Sequence, residues 1–287
     1  MPCASSSRAS DYSARVAPIR VACHQLAPAV GELAANRERA LAAIDAAAAA
    51  GAQVVVLPEL VSSGYVFEHA GEVRALAEPA GGPTLAEWAG RAAAHGLVIA
   101  GGFPELGADG RLYNSAALVD ASGVRAVYRK AHLWDREDLF FAPGDEPPPV
   151  LDTPHGRIGL MVCYDLEFPE WTRSAALRGA ELLCVPTNWP RGPRPAGERP
   201  MEVLQAMVTA ATNRMAVAVC DRCGIERGVE WVAGSAIAGP DGWLLAGPPA
   251  AAEPVLLVAD VDLAAARDKA LSPRNHALED RRPALYG

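Results

Sequence analysis

The sequence has no long apolar run. Its hydrophobic segments fall short of the roughly 20 residues that span a bilayer, so a membrane protein is not expected. A basic excess is missing too: 34 acidic residues face 26 basic ones, and the net charge is −8. Neutralising phosphates needs a basic face, so the chain does not read as a nucleic-acid binder. The charge balance suits a cytoplasmic protein. Cysteine is sparse, with six scattered over 287 residues. That excludes a dense disulfide framework and points to a reducing compartment. "GGFPE", "AGGP" and "GPDG" lack the strand–glycine–helix pattern ending in Gly-Lys-Ser/Thr, so they read as turns and not phosphate loops. The histidines have no ligand spacing. The "CDRC" pair (Cys220 and Cys223) has no second CxxC, so two unlinked thiols are expected there, with a zinc or redox pair as the other reading. No metal and no cofactor are expected.

What is present is a chain able to build a sizeable core: 51% of residues are apolar and 21% charged. Residues 1–18, rich in serine and alanine, read as a disordered extension, and residues 19–287 as one domain. "IRVACHQL" reads as a buried strand. The alanine-rich stretch from Glu32 to Ala50 reads as a helix closed by Gly51. "QVVVLPE" is then a β-branched strand. Thr84 is expected to cap a helix running to about His95, with Glu87 in the capping-box position. "LVIAGGF" follows as a strand, and "YNSAALVD" and "VRAVYRK" as a hairpin. "GRIGLMVC", "AELLCVP" and "MAVAVC" read as strands. "PEWTRSAALR" and Met201 to Asn213 read as helices between them. Strands alternating with helices and then with hairpins mean an α/β layered fold with mixed sheets.

There is an internal echo. "IRVACHQL … AGAQVVVLPEL" and "GRIGLMVCYDL … RGAELLCVPTN" share one plan, strand–helix–strand. It places Cys23 and Cys163 at matching strand ends, and Glu59 and Thr187 at the matching ends next door. Ligands in open α/β sheets gather outside the carboxyl ends of strands.

Three residues carry the candidate chemistry. Cys163 stands where an apolar strand gives way to charge, just before a helix opened by Pro169. Core packing and a working thiolate are both open from the residues alone. The helix N-terminus would lower the thiol pKa, whereas Asp165, Glu167 and Glu170 would oppose ionisation. A cation and a proton acceptor are therefore needed from elsewhere. Lys130, ending a strand in "VYRKAHLW", offers the cation. Glu59, directly after "LP", offers the acceptor, since a carboxylate there is costly unless paired or functional. His132 stands close enough in sequence to line the site or to serve the structure.

The segments "LPELVSSGY", "YRKAHLW" and "VCYDLEFPE", in that order, with "FFAPGD" between the last two and "GSAIAGPDG" after them, resemble the nitrilase superfamily of carbon–nitrogen hydrolases. The resemblance covers about Ile19 to Leu263. It implies a four-layer αββα sandwich with two mixed β-sheets and a Glu–Lys–Cys set, which falls on Glu59, Lys130 and Cys163. A second family glutamate falls on Glu137. Substrate contacts fall on Asn188 and Trp189, and Tyr65 and Tyr164 are further candidates for substrate binding. The resemblance also implies a homodimer or larger homo-oligomer. Because Tyr164-Asp165 stands where true nitrilases usually carry Trp-Glu, nitrile hydrolysis is the less expected activity. "CYDLEFPE" looks like the branch of amidases that open small linear carboxamides, some with an amino or guanidino end, giving carboxylate and ammonia. N-carbamoyl amine or amino acid hydrolysis is the alternative, with Arg191 or Arg194 as the carboxylate partner.

Overall fold

A computed structural model describes residues 17–286. The expectation for residues 1–18 therefore lies almost wholly outside the described residues. The first half runs β1 (Ile19–Gln25), α1 (Leu33–Ala49), β2 (Val54–Val56), the short α2 (Ala70–Leu76), α3 (Pro83–His95), β3 (Val98–Leu106), β4 (Leu112–Asp120) and β5 (Gly123–Arg129). The second runs β6 (Val150–Thr153), β7 (Gly156–Leu160), α4 (Pro169–Leu177), β8 (Leu182–Pro186), α5 (Met201–Asn213) and β9 (Ala216–Cys220). A small β10–β11 hairpin (Ile225–Glu226, Val229–Glu230), β12 (Ala236–Ala238), β13 (Leu244–Ala246) and β14 (Val255–Val261) follow.

The strands form two six-stranded mixed sheets, β14-β1-β2-β3-β4-β5 and β13-β12-β9-β8-β7-β6. The internal echo is real at the level of topology. In each sheet three parallel strands (β1, β2, β3 or β7, β8, β9) are flanked by antiparallel neighbours on both sides.

Alternation along the strands builds the layers. Val21, Cys23, Val54 and Val56 face the second sheet and join the core between the sheets. Ala22, Val55 and Ile99 face the other way, against Ile44 of α1 and Leu85 and Trp88 of α3. On the second sheet Val203, Ala206 and Ala210 of α5 close the opposite layer. The result is the αββα sandwich.

Local signals hold with two corrections. Gly51, at φ +78°, ends α1 as expected: its N–H reaches Ala48 O and that of Ala52 reaches Ala47 O, a Schellman closure. Helix α3, however, starts from Gly82 with Pro83 first, so Thr84 is not its cap. Proline needs no N–H partner at that position and has the right φ. The Glu78 carboxylate takes the Thr84 N–H at 2.8 Å, and Glu87 pairs instead with Arg37 at 2.6 Å. The second correction is that β7 stops at Leu160, three residues before Cys163. Among the described residues no helix is long and apolar enough to cross a membrane.

Candidate active site

The two halves meet at the ends the echo pairs. Glu59 follows β2 and Thr187 follows β8, and the Glu59 N–H donates to Thr187 O at 3.4 Å. Asn188 Nδ2 donates to Glu59 O at 2.9 Å. From the other side β3 lies directly against this segment. A Cβ on Gly102 would stand 2.6 Å from Glu59 Cα, so only glycine permits the approach. Leu60 turns the chain at φ +47° and carries it away from the sheet.

Three charged side chains converge here, all buried. Lys130 Nζ donates to Glu59 Oε1 at 2.9 Å and to Glu137 Oε1 at 2.7 Å. Asn114 of β4 donates its Nδ2 to Glu59 Oε1 at 2.6 Å. Glu137 sits in a 3-10 turn, Asp135–Leu139, and also accepts from Tyr65 OH at 2.6 Å and Trp134 N–H at 3.1 Å. An ammonium has three N–H donors, so one is left for a ligand. Burial alone would depress the Lys130 ammonium, but the carboxylates of Glu137 and Glu59 outweigh it and hold its pKa well above the lysine range. Burial pushes Glu59 up to about 7, against the pull of Lys130 and with help from the charge of Glu137. Glu59 Oε2 is buried and has no hydrogen-bond partner among the described residues. Burial and the neighbouring carboxylates also keep Tyr65 a neutral donor.

Cys163 opens its own 3-10 turn, Cys163–Glu167, at φ +46°. A non-glycine residue in that region stores backbone strain, as is common at functional positions. Its thiol points to Asn188 O at 3.8 Å. The Tyr164 N–H lies in the first turn, where a helix supplies no acceptor. The expected lowering of the thiol pKa is not what the site produces. Burial first, and Glu59 next, push the thiol well above the usual range despite Lys130. The sulfur is therefore held as a thiol and depends on a base to lose its proton.

Asp165 also departs from expectation. It is not a stray charge opposing the thiolate but the acceptor around which the turn is built. Fully buried, it takes hydrogen bonds from Val162 N–H at 3.2 Å, Tyr128 OH at 2.8 Å and His132 N–H at 3.0 Å. His132 Nδ1 lies 2.7 Å away, and its ring stacks on Phe168 at 3.8 Å. His132 thus serves the structure, tying the segment after Lys130 to the segment after Cys163.

Glu59, Lys130, Cys163, Glu137, Tyr65 and Asn188 therefore share one site. Tyr164 is half-buried beside it, edge-on to Trp134 at 4.9 Å between centroids. Trp189 packs in the core and gives its N–H to Asp221 at 3.0 Å. The cavity over Glu137, about 200 Å³, is walled instead by Tyr65, Trp134, Phe140, Phe141, Pro190 and Trp231. Arg191 and Arg194 are exposed, and Arg191 is paired with Glu230 at 3.1 Å. Cys220 and Cys223 are separate buried thiols, and among the described residues no three metal-ligating side chains cluster. Asn114, Trp134 and Trp231 escaped the sequence reading, and Asp165 entered it only as an opposing charge. The available signal for Asn114 and Asp165 was a polar residue set inside an apolar segment.

The carbon-nitrogen hydrolase family matches this chain over residues 20–270. A protein named nitrilase from Pyrococcus abyssi is 36% identical over 93% of this chain and 99% of its own length. An N-carbamoylputrescine amidase from Solanum tuberosum is 33% identical over 94% of this chain and 93% of its own. The crystal structure of an amidase from Nesterenkonia sp. superposes with a TM-score of 0.77 at 30% identity, covering 94% of this chain and 95% of that one.

Proposed function

The chain belongs to the carbon–nitrogen hydrolase family, as a hydrolase of carbon–nitrogen bonds other than peptide bonds, and we propose that it opens a small linear carboxamide to carboxylate and ammonia through a thioester on Cys163. The observation that carries this reading is the unpartnered Glu59 Oε2, held in a buried cluster with Lys130 beside a protonated thiol. Glu59 takes the thiol proton as the sulfur attacks the amide carbon and the C–S bond forms. The third N–H of Lys130 and the backbone N–H of Tyr164 face the developing oxyanion. As the tetrahedral species collapses, the C–N bond breaks, and Glu59 returns its proton to the departing nitrogen. Water then gives a proton to Glu59 and attacks the thioester. The C–S bond breaks, Glu59 returns its proton to the sulfur, and the product leaves as the carboxylic acid, which ionises to carboxylate in solvent. Glu137 holds Lys130 in place.

The substrate reading rests on the small cavity and its aromatic walls, with Asp135 at the rim for an amino or guanidino end. The Nesterenkonia amidase has been crystallised as a cysteine variant in complex with butyramide, which agrees with a short acyl chain. A second reading, hydrolysis of an N-carbamoyl amine, is favoured by the Solanum relative. The arginines named for a carbamoyl amino acid are solvent-exposed, and Arg136 is the arginine that lines the cavity. A homodimer or larger assembly belongs to the same proposal. Exposed Leu177 of α4 and Met201 and Val208 of α5 support it by giving that helical layer apolar surface.

Ammonia release from butyramide, 5-aminopentanamide, 4-guanidinobutanamide, glutaramate and N-carbamoyl amines tests the substrate. Nitrile turnover with none of these hydrolysed would sink the amidase reading. Cys163→Ala is expected to abolish turnover with the fold intact. Cys23→Ala, at the equivalent strand end, is expected to leave it within about twofold.

A further inference from the structure

Between the two thiols of "CDRC" lie Asp221 and Arg222, both buried. The Arg222 guanidinium donates to Glu226 Oε2 at 2.8 Å and to Pro28 O at 2.5 Å, and it lies 4.5 Å over the Trp231 ring. Glu226, also buried, gathers three backbone donors besides. Its Oε1 takes Val30 N–H at 2.9 Å, and its Oε2 takes Tyr65 N–H at 2.9 Å and Val66 N–H at 2.8 Å. Glu226 thus grips the main chain of Tyr65 from behind. Trp231, with Arg222 on its face, meets the Tyr65 ring edge-on at 5.4 Å. At the far end of the same side chain, Tyr65 OH donates to the Glu137 oxygen that also binds Lys130.

We propose that Arg222 and Glu226 form a buried strut that positions Tyr65, and through it Glu137, for turnover. The inference rests on the amidase reading of the site. A buried ion pair is a poor device for stability alone, because desolvation cancels much of its attraction. This pair divides its main-chain hydrogen bonds between the Pro28–Val30 segment and the loop that delivers Tyr65. Its neighbour Asp221 does the same for the opposite wall, accepting from Trp189 N–H at 3.0 Å and Gly234 N–H at 2.9 Å. Arg222 and Glu226 touch no reacting atom in this scheme. They act by fixing where the Tyr65 hydroxyl stands, and a displacement of about 1 Å at such a group is costly to rate.

The test uses Glu226→Gln, Tyr65→Phe and the double variant in the full chain. Each is assayed for ammonia release from butyramide and for the rate of Cys163 alkylation by iodoacetamide, read by peptide mass mapping. Glu226→Gln is expected to lower kcat about 10- to 100-fold with KM within about threefold. The double variant is expected to be no worse than the poorer single variant, within about twofold, because both changes remove one linkage. Multiplicative losses in the double variant, or an unchanged kcat in Glu226→Gln, would overturn the strut. Where Glu226→Gln does not fold, Arg222→Lys takes its place in the same cycle, since it keeps the charge and loses the fork; additive losses there overturn the strut equally. The alkylation rate separates the two readings. A parent chain that hydrolyses no amide sinks the amidase proposal. Alkylation rates of Cys163 unaltered by Glu226→Gln and Tyr65→Phe sink the strut alone.

Discussion

Lys130 Nζ stands 2.9 Å from Glu59 Oε1, while Glu59 Oε2 is buried without a partner among the described residues. One ammonium serves two carboxylates, because Glu137 claims it at 2.7 Å. Burial first, with the charge of Glu137 beside it, raises the proton affinity of Glu59 to about 7 against the pull of Lys130. In the proposed mechanism the Oε2 oxygen is the acceptor for the thiol proton.

A pH dependence follows from that value. The base must be deprotonated to act, so kcat/KM should climb with pH through about 7 and then level off. It should fall about tenfold per pH unit well below that point. Lys130 and Cys163, both held well above their ordinary ranges, add no descending limb near neutrality. A rate profile on any turned-over amide checks this. A flat profile from about pH 5.5 to 8 would contradict the assignment of Glu59 as base.

Gly102→Ala is expected to disable the enzyme without replacing a charged residue. The new methyl would press on the main chain of Glu59 and displace it. Overpacking of this kind costs about 1–3 kcal/mol of stability, and the shift in Glu59 should cost about 100-fold in kcat. Urea unfolding and ammonia release measure the two effects separately. Full activity would mean that the Glu59 segment yields freely.

Asp165→Ala should unfasten the turn that carries Cys163. It strands the buried donors of Val162, Tyr128 and His132, and each stranded group costs about 1–3 kcal/mol. A large fall in the urea midpoint is expected, together with slower Cys163 alkylation. Asp165→Asn retains the shape and should recover part of the stability. A midpoint unchanged in Asp165→Ala would show that the turn is held by its own backbone.

Part of the site was legible from residue types at strand ends, and one compositional mark went unread. Only two of the 26 basic residues are lysines, Lys130 and Lys269, in a chain that otherwise uses arginine. A point charge with three movable donors suits a site shared among two carboxylates and an oxyanion, whereas the arginine fork does not. Glu59 and Cys163 could be placed because strand ends gather ligands. Asp165 was misread because its charge was visible and its three donors, drawn from separate segments, were not. The resemblance placed a substrate contact on Trp189, which lies buried in the same apolar cluster as Cys163, while Pro190 and Trp231 line the cavity.

By itself the sequence determined the alternation of strands and helices, the duplicated plan and the residue types of the reactive set. These follow from periodicity, propensity and the cost of a carboxylate at an apolar strand end. Only the tertiary structure decided how those residues act. It brought the ends of β2 and β8 together, divided one ammonium between Glu59 and Glu137, and kept Cys163 as a thiol. Those outcomes depend on burial and on distances of a few ångströms between residues up to 129 apart in sequence, such as Glu59 and Asn188. Coulomb energy and hydrogen bonding at that range are set by packing, which no linear spacing records.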